Sequence, residues 1–189
     1  MLEPSDILGL QARANAVAER VLAGIRREQL GAPTPCSEWD VRALANHFVE
    51  VPQMAVAAAT GGPMPESGTD LVGDDPLGAF AGAARAAQAA LAAPGGLDRT
   101  YALPWGEMPG SDLARILLAD TTIHAWDLAK ATDQLAALDP ELCEEVLAWG
   151  RTVMKPEYRT PEAGFGPEVT VPADAPACAR LAAFYGRQP

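Results

Sequence analysis

The chain has only two histidines, His47 and His124. Each falls on the inward face of a predicted helix. Asp120 stands one helical turn before His124, and an Asp-x-x-x-His pair on a helix projects both side chains from one face. With a further imidazole from a facing helix, these residues make a two-nitrogen, one-carboxylate donor set. Such a set suits Zn²⁺, and also Ni²⁺ or Fe²⁺. Three protein ligands leave a coordination position open, which is the pattern of catalytic rather than structural sites. That position would take water or a thiolate and lower the pKa of whatever binds there. Spacing alone supports a second reading equally well: Asp120 simply pairs with His124, and His47 is satisfied independently in the core.

The neighbouring residues sharpen the question. His47 interrupts an apolar stripe of Leu44, Val51 and Met54, and on the later helix Leu113 and Leu117 give way to Asp120, His124 and Asp127. A buried carboxylate without a partner is costly, so something must compensate. For Asp127 the sequence favours an ion pair with Lys130 or Arg115 near the surface; the alternative is an acceptor that orients a ligand from behind. Trp126 reads as packing or a pocket wall, and Trp39 as a staple at the start of the second helix rather than a substrate platform. Cys36 lies just before that helix, where a thiol pKa can fall, but no basic neighbour is visible and it reads as a buried bystander. There is no nucleophile elbow and no phosphate-cradling glycine loop.

Six helices are expected to carry these groups. The first starts near Ser5 and follows Ile7, Leu10, Ala14, Val17, Val21 and Ile25 toward Gln29. Ser37 is the expected N-cap of the second, which continues through Val41, Leu44, Phe48 and Val51, with Pro52 expected to kink it. Asp75-Pro76 opens the third, an Ala-rich helix ended by Pro94-Gly95-Gly96. Residues 97–105 read as a hairpin or an extended crossover closed by Pro109-Gly110. The fourth helix starts near Ser111 and the fifth at Asp139-Pro140. A proline-rich irregular stretch follows, with a short strand expected over Glu168–Val171. A last helix, roughly Asp174 to Tyr185, ends at Gly186. The expected architecture is all-α: a four-helix bundle with a short β element and a C-terminal helical extension. The whole of 1–189 is expected to form one domain, with the bundle over about 5–135 and the extension over about 136–189.

Composition limits the partners. Fourteen Lys and Arg against 25 Asp and Glu give a formal charge of −11 without a basic stripe, so neither nucleic acid nor an anionic membrane is expected as a partner. The three cysteines, Cys36, Cys143 and Cys178, form no C-x-x-C, so neither a disulfide framework nor a zinc knuckle is expected. The N-terminal residues carry no signal-peptide pattern, and charge breaks the apolar runs below spanning length. A reducing cytoplasm is the expected compartment. The Ala-rich third helix would let a twin approach, which makes a homodimer a further expectation.

Several segments carry a resemblance. Pro33-Thr34-Pro35-Cys36-Ser37-Glu38-Trp39-Asp40-Val41-Arg42-Ala43-Leu44, leading to Asn46-His47, resembles the actinobacterial proteins grouped with the mycothiol-dependent maleylpyruvate isomerase N-terminal domain, within the DinB-like metal-binding superfamily. Leu103-Pro104-Trp105-Gly106-Glu107-Met108-Pro109-Gly110 is similar too, as are Asp120-Thr121-Thr122-Ile123-His124-Ala125-Trp126-Asp127-Leu128-Ala129 and Val171-Pro172-Ala173-Asp174-Ala175-Pro176. The resemblance implies a DinB-like four-helix bundle holding a divalent metal, usually zinc, on His47, Asp120 and His124. It also implies mycothiol as a cosubstrate. The isomerase itself carries Glu at the position of Asp120, one methylene longer. The expected function is a metal-dependent, thiol-using enzyme that isomerises a small electrophile or transfers a group to it, with a small-molecule thiol and substrate as partners. The alternative is a non-catalytic metal-binding module, a sensor or sequestration protein.

Overall fold

The structure is a computed structural model and describes residues 4–66, 68–160 and 165–189. Its elements run α1 (Pro4–Ala23), α2 (Val41–Thr60), α3 (Pro76–Ala92), β1 (Thr100–Leu103), β2 (Gly106–Pro109), α4 (Gly110–Ala131), α5 (Pro140–Val153) and α6 (Ala177–Phe184). The fold is all-α and DinB-like, with one small hairpin. α1 packs on α4 and α3, and α2 packs on α3 and α4, so the four long helices close a ring around one core. Ile7, Val17 and Val21 of α1, Leu44 and Phe48 of α2, Phe80 of α3 and Leu113, Leu117 and Leu128 of α4 are all buried there. Phe48 meets Phe80 edge to face, ring centres 5.2 Å apart, a favoured aromatic geometry.

Local chemistry sets the boundaries. α1 stops at Ala23 rather than reaching Gln29: the Val21 carbonyl accepts from Gly24 N–H at 3.1 Å and from the Gln134 amide, arriving from beyond α4, at 3.0 Å. A side chain at Gly24 would run into that amide. The N-cap of α2 is Asp40, not Ser37: its carboxylate accepts from Ala43 N–H at 2.8 Å. Residues 34–39 are instead wrapped around Thr34, whose hydroxyl lies 2.8 Å from the Trp39 carbonyl and accepts from Cys36 N–H at 3.2 Å. α2 runs through Pro52 to Thr60 and ends at Gly61 in the left-handed region.

β1 and β2 pair antiparallel from Thr100↔Pro109 to Leu103↔Gly106. The hairpin is anchored by buried Tyr101, whose hydroxyl donates to the Gly96 carbonyl. No strand forms over Glu168–Val171: Val169 N–H makes one bond, to the Ala183 carbonyl, and prolines at 167 and 172 bracket the segment, each lacking a donor. The last helix is shorter than expected, starting at Ala177.

The cysteine count misled. Cys143 of α5 and Cys178 of α6 are joined in a disulfide, with Cα atoms 5.1 Å apart across a separation of 35 residues. No motif announces a pair that only helix packing brings together. No helix among the described residues is long and apolar enough to cross a membrane.

Candidate metal centre

The two inward helices do converge. His47 on α2 and Asp120 and His124 on α4 come together, with His47 Nε2 3.1 Å and His124 Nε2 3.6 Å from the same oxygen, Asp120 Oδ1. The imidazoles stand edge to face, centres 5.0 Å apart. His124 is nearly buried, with 9% of its side chain exposed, while His47 and Asp120 keep 19% and 22%.

Asp127 is not at the surface and does not pair with Lys130 or Arg115. Its carboxylate is fully buried, and Oδ2 lies 3.0 Å from His124 Nδ1. Arg187, also buried, forks onto it: Nε donates to Oδ1 at 3.2 Å and Nη2 to Oδ2 at 3.1 Å. Local spacing suggested Lys130 or Arg115 because both lie on α4; only tertiary folding brings residue 187 in.

These contacts fix a proton. An ionised carboxylate held by a guanidinium only accepts hydrogen bonds, so His124 Nδ1 must carry the hydrogen it shares with Asp127. That leaves Nε2 of His124 turned toward Asp120 Oδ1. His47 Nε2 is within hydrogen-bonding distance of that oxygen at 3.1 Å, whereas His124 Nε2, at 3.6 Å, is not. A cation at this junction satisfies all three groups, and the donor set is one that Zn²⁺, Ni²⁺ or Fe²⁺ accepts. The residues present therefore fit a divalent ion.

The titration tendencies agree. Burial works to lower the pKa of His47, but the charge and hydrogen bond of Asp120 outweigh it and raise the pKa above the ordinary imidazole value. Burial likewise works to raise that of Asp120, and the charges of His47 and His124 with the His47 hydrogen bond bring it below the usual carboxylate range. Asp120 is thus kept as an anion.

One residue of the 34–39 loop, Trp39, was undervalued by sequence, while Cys36 is the buried thiol that was expected. Trp39 lies against the site, its ring centre 4.5 Å from that of His47 and 5.7 Å from that of His124. Cys36 Sγ comes within 4.8 Å of ligand atoms of His124 and Asp127, giving a second cluster. That cluster suits an ion less well, because both Asp127 oxygens already serve Arg187 and His124. Burial, the leading effect, pushes the Cys36 thiol up, so it is not a ready nucleophile. Trp126 is buried packing.

A cavity of about 550 Å³ opens in front of His47. Its wall includes Trp39, Asp40, Arg42, Asn46, Glu50 and Asp70. Asn46 holds the far side in place, donating to the Thr69 carbonyl at 2.9 Å and accepting from Leu71 N–H at 2.6 Å. Arg42 donates to Asp70 at 2.7 Å and to the Gly73 carbonyl at 3.0 Å.

Residues 12–129 match the model of the mycothiol maleylpyruvate isomerase N-terminal domain family. The chain belongs to that family. Membership makes it a DinB-like, metal-binding protein related to mycothiol chemistry. The matched segment of this family member holds His47, Asp120, His124 and Asp127; α5, α6, their disulfide and Arg187 lie beyond it. The chain is also similar to two uncharacterised proteins of Mycobacterium tuberculosis, Rv0738 of strain H37Rv and MT0763 of strain CDC 1551. Each is 39% identical over 182 residues, covering 96% of this chain and 98% of the relative. No solved structure matches the chain at a significant level.

Proposed function

We propose that this family member is a metal-dependent enzyme that uses a low-molecular-weight thiol, mycothiol, on a small electrophile, by isomerisation or group transfer. His47 Nε2, Asp120 Oδ1 and His124 Nε2 would hold the ion, most readily Zn²⁺. When bound, such an ion supplies Lewis acidity that lowers the pKa of a thiol entering its open position. The observation that carries the reading is the convergence of His47 Nε2 and His124 Nε2 on one oxygen of Asp120, with His124 Nδ1 already engaged by Asp127.

The chain's own residues do the rest. Asp127 holds the His124 proton on Nδ1 and keeps the ring turned toward Asp120. Trp39 covers the His47 ring and keeps water off one side of it. The cavity lined by His47 gives a small ligand room beside the centre, which favours an enzyme over a sequestration module. Three carboxylates on its wall (Asp40, Glu50 and Asp70) stand against one guanidinium, Arg42, which Asp70 already engages. This balance disfavours a dicarboxylate such as maleylpyruvate and points to a neutral or cationic electrophile.

The test is thiol binding to cobalt-substituted protein, followed by optical spectroscopy. Mycothiol should add a sulfur-to-cobalt charge-transfer band, and His124→Ala should remove both cobalt and band. Cobalt bound in the site without any change on adding mycothiol would overturn the thiol-using reading and leave a metal-binding module.

A further inference from the structure

We propose, building on the metal reading above, that Arg187 is a positioning residue of the centre: through Asp127 it fixes which nitrogen of His124 is left for a cation, so the turn after α6 belongs to the site. α6 closes with Gly186 N–H donating to the Ala183 carbonyl at 3.0 Å and Arg187 N–H to the Ala182 carbonyl at 2.9 Å. Gly186 stands in the left-handed region, at φ +85°. This glycine-capped reversal sends residue 187 back across the bundle instead of out to solvent. Only glycine fits, since a Cβ there would lie 2.6 Å from the Gly166 Cα. The result is an arginine that is 4% exposed, forked onto Asp127 and donating through Nη1 to the Tyr185 carbonyl at 3.0 Å.

A bidentate fork sets the plane of a carboxylate as well as its charge. Here it aims Oδ2 at His124 Nδ1. Without the fork the carboxylate is free to turn, and its hold on the imidazole proton at Nδ1 weakens. The other tautomer then points its hydrogen at Asp120 and occupies the nitrogen a cation needs. A segment outside the matched residues 12–129 thereby decides whether the ligand inside them is competent.

Nitrogen-15 NMR of metal-free, full-length protein reads this directly, because the chain has two histidines. In the unaltered protein His124 should carry its proton on Nδ1 and His47 should be protonated on Nε2. Arg187→Met should move His124 toward the Nε2–H form, leave His47 in place, and weaken Zn²⁺ binding by on the order of 10- to 100-fold. Arg187→Lys, which restores the charge without the fork, should recover part of both. Should Arg187→Met fail to fold, Gly186→Ala keeps both charges while straining the turn and its contact with Gly166, and the same two changes are expected. An unchanged His124 tautomer with unchanged Zn²⁺ affinity in either folded variant overturns the proposal while sparing the metal reading. A tautomer shift in a protein that never bound Zn²⁺ upholds the positioning role and removes the metal reading instead.

Discussion

His124 touches both carboxylates of the centre, and each nitrogen has a separate task. Nε2 is the nitrogen turned toward Asp120 and the ion position, and Nδ1 the handle held by Asp127. Removing the donor and removing the handle should therefore differ. His124→Ala should abolish metal retention in equilibrium dialysis. Asp127→Asn should weaken it by on the order of 10- to 100-fold without abolishing it. Equal loss from both would show that the ligands are assigned wrongly. Helical spacing put His47, Asp120 and His124 on inward faces but left open whether they meet; the resemblance named them as one set, and the fold brings them together. Asp127 was placed at the surface because its cation arrives from residue 187, which no local rule connects to α4. Trp39 was read as a staple at the start of the second helix; with Asp40 as the cap and Thr34 tying up the loop, its indole lies against the imidazoles instead.

At the scale of elements, α5 is fastened at two ends. Asp139 caps its first turn, accepting from Glu141 and Leu142 N–H, and receives Arg13 of α1 at 2.7 Å. Burial tends to raise the Asp139 pKa, but the Arg13 hydrogen bond and charge with the capping amides bring it below the ordinary value. A lowered folded value means the contribution is complete above the unfolded pKa and fades as pH falls through the folded one. Asp139→Ala should cost about 1 kcal/mol at neutral pH in urea unfolding, and the difference from the unaltered protein should shrink as the solution is taken below the ordinary carboxylate range. The far end is fastened to α6 by Cys143–Cys178. A loop of that length is worth roughly 3 to 4 kcal/mol in the chain-entropy account. Cys178→Ser should lower stability by up to about that amount and loosen the turn that delivers Arg187. Helix periodicity made most elements readable. The disulfide was not, since pairing across 35 residues depends on how α5 and α6 dock. The expected strand at 168–171 failed because alternation without a neighbouring strand to bond leaves no ladder.

Across the whole molecule, four helices close a ring around a largely apolar core, and α2 and α4 face each other across it over His47, Asp120 and His124. Binding there should stabilise the fold by mass action: at a free metal level 1,000 times Kd, by about 4 kcal/mol. For a chain of this size that is roughly 8 to 16 °C in the melting midpoint, recovered on re-adding Zn²⁺ after chelation. The most direct measurement is elemental analysis of the untagged protein purified without added metal, beside His124→Ala. The account expects close to one divalent ion per chain in the former and none in the latter. A metal-free native protein that also fails to take up Zn²⁺, Ni²⁺ or Fe²⁺ and melts the same with or without chelator would contradict it.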